Sequence, residues 1–321
     1  MHNYTDYGWL RGFNVVPSWA ARIEQAWWEY DGRRFREEVA LARGVHANCI
    51  RLWTEFTAWM ADPEAVRARF LDAVAGIAEQ GMKTMPCLFN RWHEWSYDYG
   101  GTYIEDLHRN WTPKLDYVRA LVDPLASDPR ILMWDLCNEP QWPRLDAENK
   151  NRETDWLTAV ADTVRTSGAR QPTTIGVMQF EDQMDHFAPL CDVLCCHPYG
   201  RTPEQLRDML DVCKRIEQKH AKPMHCNECI PGCLDDQRRA ECARWSIAAL
   251  EEAGYGWIGW GMREGKTVST RRDRYDGNGL DDQGFHAWFT ADGSLRAGLE
   301  FLRDPPRRRA PWEKDATQGN E

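Results

Sequence analysis

The chain has 321 residues, 42% of them hydrophobic and 28% charged, with a formal net charge of −10. That length and balance suit a large globular domain and exclude a disordered chain. The negative charge argues against a nucleic-acid partner, which needs a cationic face. Arg271-Arg272 and Arg307-Arg308-Arg309 are short basic runs, and the second lies in a polar tail. No window approaches the roughly 18 apolar residues of a membrane span. The opening "MHNYTDYGWLRG" has no basic region followed by an apolar stretch, so a cytoplasmic location is expected. Eleven cysteines are then expected to be reduced and mostly buried, and 17 tryptophans imply a big core or flat surfaces for stacking.

In chain order, "LRGFNVVPS" (10–18) reads as a first strand, followed by a helical pattern in "RRFREEVALARG" (33–44). "ANCIRLWT" (47–54) is a second strand. It leads into "DPEAVRARFLDAVAGIAEQG" (62–81), a helix bounded by an Asp cap, Pro at the first helical position and a terminal Gly. "KTMPCLF" (83–89) is followed by a long aromatic connection, 90–112, and a helix over 113–126. "ILMWDLCNEP" (131–140) precedes a helix over 152–168, and "TTIGVM" (173–178) a short helical turn within 179–190. "VLCCHPYG" (193–200) and "PMHCNECI" (223–230) each precede a helix, over 203–220 and 235–253. "GWIGWG" (256–261) leads into a second long connection, 262–292, and a helix over 294–303.

Eight strands alternating with helices read as an α/β fold, a single (β/α)8 TIM barrel over residues 1–303. The Pro-rich polar tail 304–321 is expected to lie loosely on the surface. A doubly wound sheet is the competing arrangement, but no G-x-G-x-x-G turn follows the first strand to support it.

Barrel enzymes build their sites where the strands end, and polar residues gather at those ends here: Arg51, Asn138, Glu139, His197, Tyr199, Glu228 and Trp260. Glu139 and Glu228 would face each other across one pocket. Paired carboxylates are the requirement of glycoside hydrolysis, one donating a proton and the other attacking or activating water.

On "NEP" with Asn138 and Glu139, "HPY" with His197 and Tyr199, Glu228 in "HCNEC", Arg51 in "IRLW" and Trp260 in "GWIGWG", the chain resembles the clan A glycoside hydrolases. The likeness is greatest to the cellulase-like family 5 and its relatives, and it runs from residue 9 to about 261. It implies Glu139 as acid/base and Glu228 as nucleophile, the latter held ionised by Arg51 and Tyr199. It further implies Asn138 on the sugar 2-hydroxyl, His197 in the acid/base network and Trp260 as a stacking floor. The family pattern also carries a His near the end of strand three, for which "FNRWHEW" offers His93, with Trp92 and Trp95 beside it. Glu94 and Glu55 lie close enough in sequence to reach the same rim.

The implied activity is that of a retaining β-glycosidase on β-linked oligosaccharides or glycosides, needing no cofactor. The two long connections favour exo-action. A non-catalytic sugar-binding protein and a transglycosidase using the same residues are the alternatives; oligomeric state is left open. Cys226, Cys229 and Cys233 form a C-x2-C-x3-C pattern like a zinc site, but alternation turns Cys229 away from Cys226, so no metal is expected. The same parity predicts Cys137, Cys195 and Cys226 as a thiol layer beneath the carboxylates.

Overall fold

The computed structural model describes residues 4–91, 111–140, 145–178 and 181–313. Each apolar segment forms a short parallel strand: β1 (Arg11–Val15), β2 (Cys49–Trp53), β3 (Lys83–Cys87), β4 (Trp134–Asn138), β5 (Thr173–Gly176), β6 (Leu194–Cys195), β7 (Met224–Cys229) and β8 (Trp257–Gly259). Apart from Lys83 these strand residues are all buried, as expected for parallel strands covered on both faces. Neighbours run β5-β4-β3-β2-β1-β8-β7-β6. The end strands then meet: Val193 N donates to Thr173 O at 3.1 Å and His197 N to Val177 O at 2.9 Å. This is the (β/α)8 barrel, and the return of β6 to β5 rules out an open doubly wound sheet.

The helices among the described residues are α1 (Ile23–Trp28), α2 (Gly32–Arg43), α3 (Phe56–Ala61), α4 (Pro63–Glu79), α5 (Thr112–Val122), α6 (Ala147–Thr166), α7 (Glu181–Phe187), α8 (Pro203–His220) and α9 (Asp236–Glu252). Side-chain oxygens cap several first turns, satisfying amides the helix leaves unpaired. Asp62 accepts from Ala65 N before α4 and Thr202 from Gln205 N before α8.

Two expectations need correcting. The segment 294–303 does not form a helix beyond a 3-10 turn at Glu300–Arg303. Leu295 is instead bridged to Phe289, while Gly293 and Gly298 take positive φ of 89° and 84°. The tail is not loose as far as Glu313. Arg11 Nη2 donates to Arg308 O at 2.9 Å, Ala310 is buried, and Trp312 meets Trp9 edge-on at 5.0 Å. These contacts seat the segment against β1 and the chain just before it.

Two register shifts bear on function. In β4 the pairing with β5 slips between Asp135 and Asn138, and in β7 the pairing with β8 slips between Cys226 and Cys229. Bulges of this kind re-aim side chains at strand ends.

Candidate active site

The register shifts let consecutive residues reach one side-chain cluster. Glu139 leaves β4 with φ +44°, and its amide donates to Gly176 O at 2.8 Å. Its Oε1 lies 2.7 Å from His197 Nδ1. Glu228 Oε2 accepts from Arg51 Nη1 at 3.0 Å and Glu228 Oε1 from the Tyr199 hydroxyl at 2.9 Å. One ligand atom each from Glu139, His197 and Glu228 lies within 4.8 Å of the others. All three side chains are buried, with Glu228 8% and Glu139 6% exposed.

Arg51 organises the floor. Its Nε donates to Asp135 Oδ2 at 2.8 Å, Nη1 also to Asn14 Oδ1 at 2.9 Å, and Nη2 to Asn138 Oδ1 at 2.8 Å. Asn138 Nδ2 in turn donates to Asn90 Oδ1 at 3.0 Å. Burial works against the Arg51 charge, but Asp135 and Glu228 outweigh it and hold its pKa above the ordinary value. Arg51 also lies over Trp53 at 4.9 Å, and Trp53 meets Trp260 edge-on at 4.9 Å. Trp260 Nε1 donates to Ser269 Oγ at 3.0 Å, so the 262–292 connection braces this ring. Within the same connection His286 packs edge-on against Tyr199 at 5.9 Å.

A second chain of contacts runs under the acid/base candidate. His197 Nε2 lies 2.8 Å from Asn227 Oδ1, which also accepts from Cys195 Sγ at 3.0 Å. Asn227 Nδ2 donates to Asp135 Oδ2 at 3.0 Å. Burial alone would lower the His197 pKa, but Glu228, Cys195 and Glu139 carry it well above the ordinary value. Burial raises Glu228; His197 opposes that, Glu139 adds to it, and Arg51 and Tyr199 pull it back, leaving the net upward. Burial and the Glu228 charge push the Tyr199 hydroxyl well up, so it stays a donor.

Glu139, Glu228, Arg51, Asn138, His197, Tyr199 and Trp260 therefore come together. His93, Trp92 and Trp95, with Glu94, lie outside the described residues. Glu55 is buried and caps α3, accepting from Thr57 N at 3.0 Å. The thiol layer differs from the parity reading. Cys195 does lie beneath the carboxylates, and Cys87, an acceptor for Arg51 Nη2 at 3.7 Å, lies there too. Cys137 instead lies near Glu153 of α6 and Cys226 near Cys213 of α8, on the helix side of their strands. The β4 and β7 bulges shift the alternation by one residue. Cys229 and Cys233 donate to Ile258 O and Asn278 O, different partners on different segments.

The sequence drew notice to Asp135 at its strand end but assigned no site role to it, nor to Asn14, Asn90 or Asn227. The available signal was polar residues inside otherwise apolar strands, Asp135 in "WDLCNEP" and Asn227 in "HCNEC".

No protein-family model and no curated protein matches the sequence. Solved structures do. An exo-β-1,4-mannosidase from Opitutaceae bacterium strain TAV5 aligns at 15% identity and TM-score 0.70, over 96% of this chain and 59% of its own. A GH5_18 protein from Streptomyces cattleya, solved with Manβ1-4GlcNAc, aligns at 16% identity and TM-score 0.72, over 94% and 83%. An endo-1,4-β-D-mannanase from Thermotoga petrophila RKU-1 gives 17% and 0.65, over 92% and 98%. This chain has the fold of these glycoside hydrolases. It spans only 59% of the length of the mannosidase. No described helix is long and apolar enough to cross a membrane.

Proposed function

We propose that the protein is a clan A glycoside hydrolase, a retaining β-glycosidase that acts on β-linked oligosaccharides or glycosides. The observation that carries this is the meeting of Glu139 and Glu228, whose oxygens lie within 4.8 Å of each other with different partners. Retaining enzymes bring their two carboxyl groups close, about 5–5.5 Å apart, whereas inversion needs room for a water.

The partners divide the labour. Glu228 accepts from a guanidinium and a phenol, the donors that suit a carboxylate nucleophile. It attacks the anomeric carbon while Glu139 protonates the departing oxygen, giving a covalent glycosyl-enzyme. Glu139 then takes a proton from water, which attacks the same carbon and releases the sugar and Glu228. Asn138, held by Arg51 and Asn90, is assigned to the sugar 2-hydroxyl, and Trp260, braced by Ser269, to the stacking floor. The chemistry asks for no cofactor. Exo-action is the finer reading, supported by the two long connections, of which 262–292 walls the Tyr199 and Trp260 side. Manno-configured substrates come first, because the compared structures include a mannosidase, a mannanase and a complex with Manβ1-4GlcNAc.

The test is a panel of nitrophenyl β-glycosides and short β-linked oligosaccharides with wild type and Glu228→Ala. Hydrolysis of at least one β-glycoside, lost in the variant, supports the assignment. Sugar binding without turnover would favour the binding-protein alternative, and transfer to an added sugar in place of water a transglycosidase.

A further inference from the structure

Asn227 is fully buried, and it reaches Glu139 only through His197 in the hydrogen bonds of the described residues. Its amide can face only one way. Nδ2 donates to Asp135 Oδ2 at 3.0 Å, and that oxygen is itself fixed by Arg51 Nε at 2.8 Å. Turning the amide over would set its oxygen against a buried carboxylate oxygen, two acceptors with no proton between them. The orientation leaves Oδ1 toward His197 Nε2 at 2.8 Å, where an acceptor requires that nitrogen to carry hydrogen. The other ring nitrogen, Nδ1, lies 2.7 Å from Glu139 Oε1.

We propose that Asn227 is a positioning residue for the acid/base step: through its Asp135-oriented amide it holds His197 as a donor at both ring nitrogens, so that Glu139 Oε1 stays occupied and Oε2 carries the mobile proton. The proposal rests on the glycosidase reading for its catalytic consequence. Charge supports it. Glu139 after β4, Glu228 of β7 and Cys195 of β6 act on His197 directly, His225 of β7 is electrostatically coupled to it, and Asp135 and Arg51 reach it through Asn227. Burial drives His225 down to about 3, so it is neutral, and burial pushes the Cys87 and Cys195 thiols and the Tyr199 phenol up, so they stay protonated. Arg51 and His197 are thus set among the carboxyl groups of Asp135, Glu139 and Glu228, Arg51 donating to Asp135 and Glu228 and His197 lying against Glu139.

The proton count closes. Glu139 gives its Oε2 proton to the leaving oxygen and becomes a carboxylate, with His197 Nδ1–H still on Oε1. Water later returns one proton to Oε2, and His197 ends each turnover as it began. Gly176 leaves room for the arrangement, since a Cβ there would meet His197 Nε2 at 2.7 Å and Asn227 Oδ1 at 3.1 Å.

The experiment is nitrogen NMR of the histidine rings across pH in wild type and Asn227→Ala, alongside pH-rate profiles. Wild-type His197 is expected to be an imidazolium at pH 7. In Asn227→Ala its titration should move down by about one unit or more, since a hydrogen bond to the charged form is lost. A matching ionisation should appear in kcat/KM, with a loss of about tenfold on an unactivated disaccharide and a smaller one on a dinitrophenyl glycoside. A neutral His197 in the wild type at pH 7, or a variant with unchanged titration and profile, overturns the proposal. Should Asn227→Ala not fold, Asn227→Ser is read the same way, and a neutral wild-type His197 at pH 7 overturns the proposal by itself. If the wild type hydrolyses no glycoside, the glycosidase reading falls, while the NMR titration still decides how Asn227 holds His197.

Discussion

Asp135 and Asn138 are three residues apart on β4, yet both bond the same guanidinium, Arg51, each at 2.8 Å. Strict alternation would set them on opposite faces of the strand. The bulge between them reconciles the two contacts and delivers the next residue, Glu139, to the pocket with φ +44°. That conformation is costly for any residue with a Cβ. Glu139→Gly should therefore be more stable than Glu139→Ala by about 0.5–1 kcal/mol, reversing the usual order of the two residues. Urea unfolding of both variants checks this, and equal or inverted stabilities would remove strain from the account of this turn.

Glu55 carries a separate, pH-dependent cost. Burial, with Glu24 adding to it, pushes its carboxyl up to about 7 from an ordinary 4.5, against the pull of Thr57. A raised folded value means that the stability it contributes is complete below the unfolded value near 4.5 and is lost as pH rises through about 7. Glu55→Gln keeps an oxygen for the Thr57 amide and removes the charge. It should stabilise the protein by about 2–3 kcal/mol at pH 8 and by little at pH 4. A gain that does not change with pH would mean that Glu55 is not titrating in the folded state.

Gly176→Ala probes the floor of the site. The added Cβ would lie 2.7 Å from His197 Nε2, 3.0 Å from Arg51 Nη2 and 3.1 Å from Asn227 Oδ1. Overpacking of this kind costs about 1–3 kcal/mol, and here the displaced groups are the ones that hold both carboxylates. Both melting temperature and kcat should fall. A stable variant with unchanged kcat would show that the polar floor can shift without consequence.

The strands were legible because each is a short apolar run between helical patterns, and Asp62-Pro63 and Thr202-Pro203 mark helix starts that the structure keeps. Arg51, Glu139, His197, Tyr199 and Glu228 were legible as a group because each is a polar residue in or just after an apolar strand segment. The bulges were not, since a register slip leaves no mark in the hydrophobic pattern of a strand buried on both faces. That is why Cys137 and Cys226 were assigned to the wrong side and why Asn227 was overlooked beside Glu228. The short helices α1 and α3 sit in connections where six residues give too little periodicity to register.

In the proposed mechanism Glu228 forms a bond to the sugar while Glu139 moves the proton. This is tested most directly by incubating the protein with 2-deoxy-2-fluoro β-mannoside and β-glucoside bearing dinitrophenyl leaving groups, then measuring intact and peptide masses. The expected result is one added fluoroglycosyl group on the peptide carrying Glu228, formed in wild type and absent in Glu228→Ala. A substrate that the wild type turns over with no adduct on Glu228, or with the label on another residue, would contradict it.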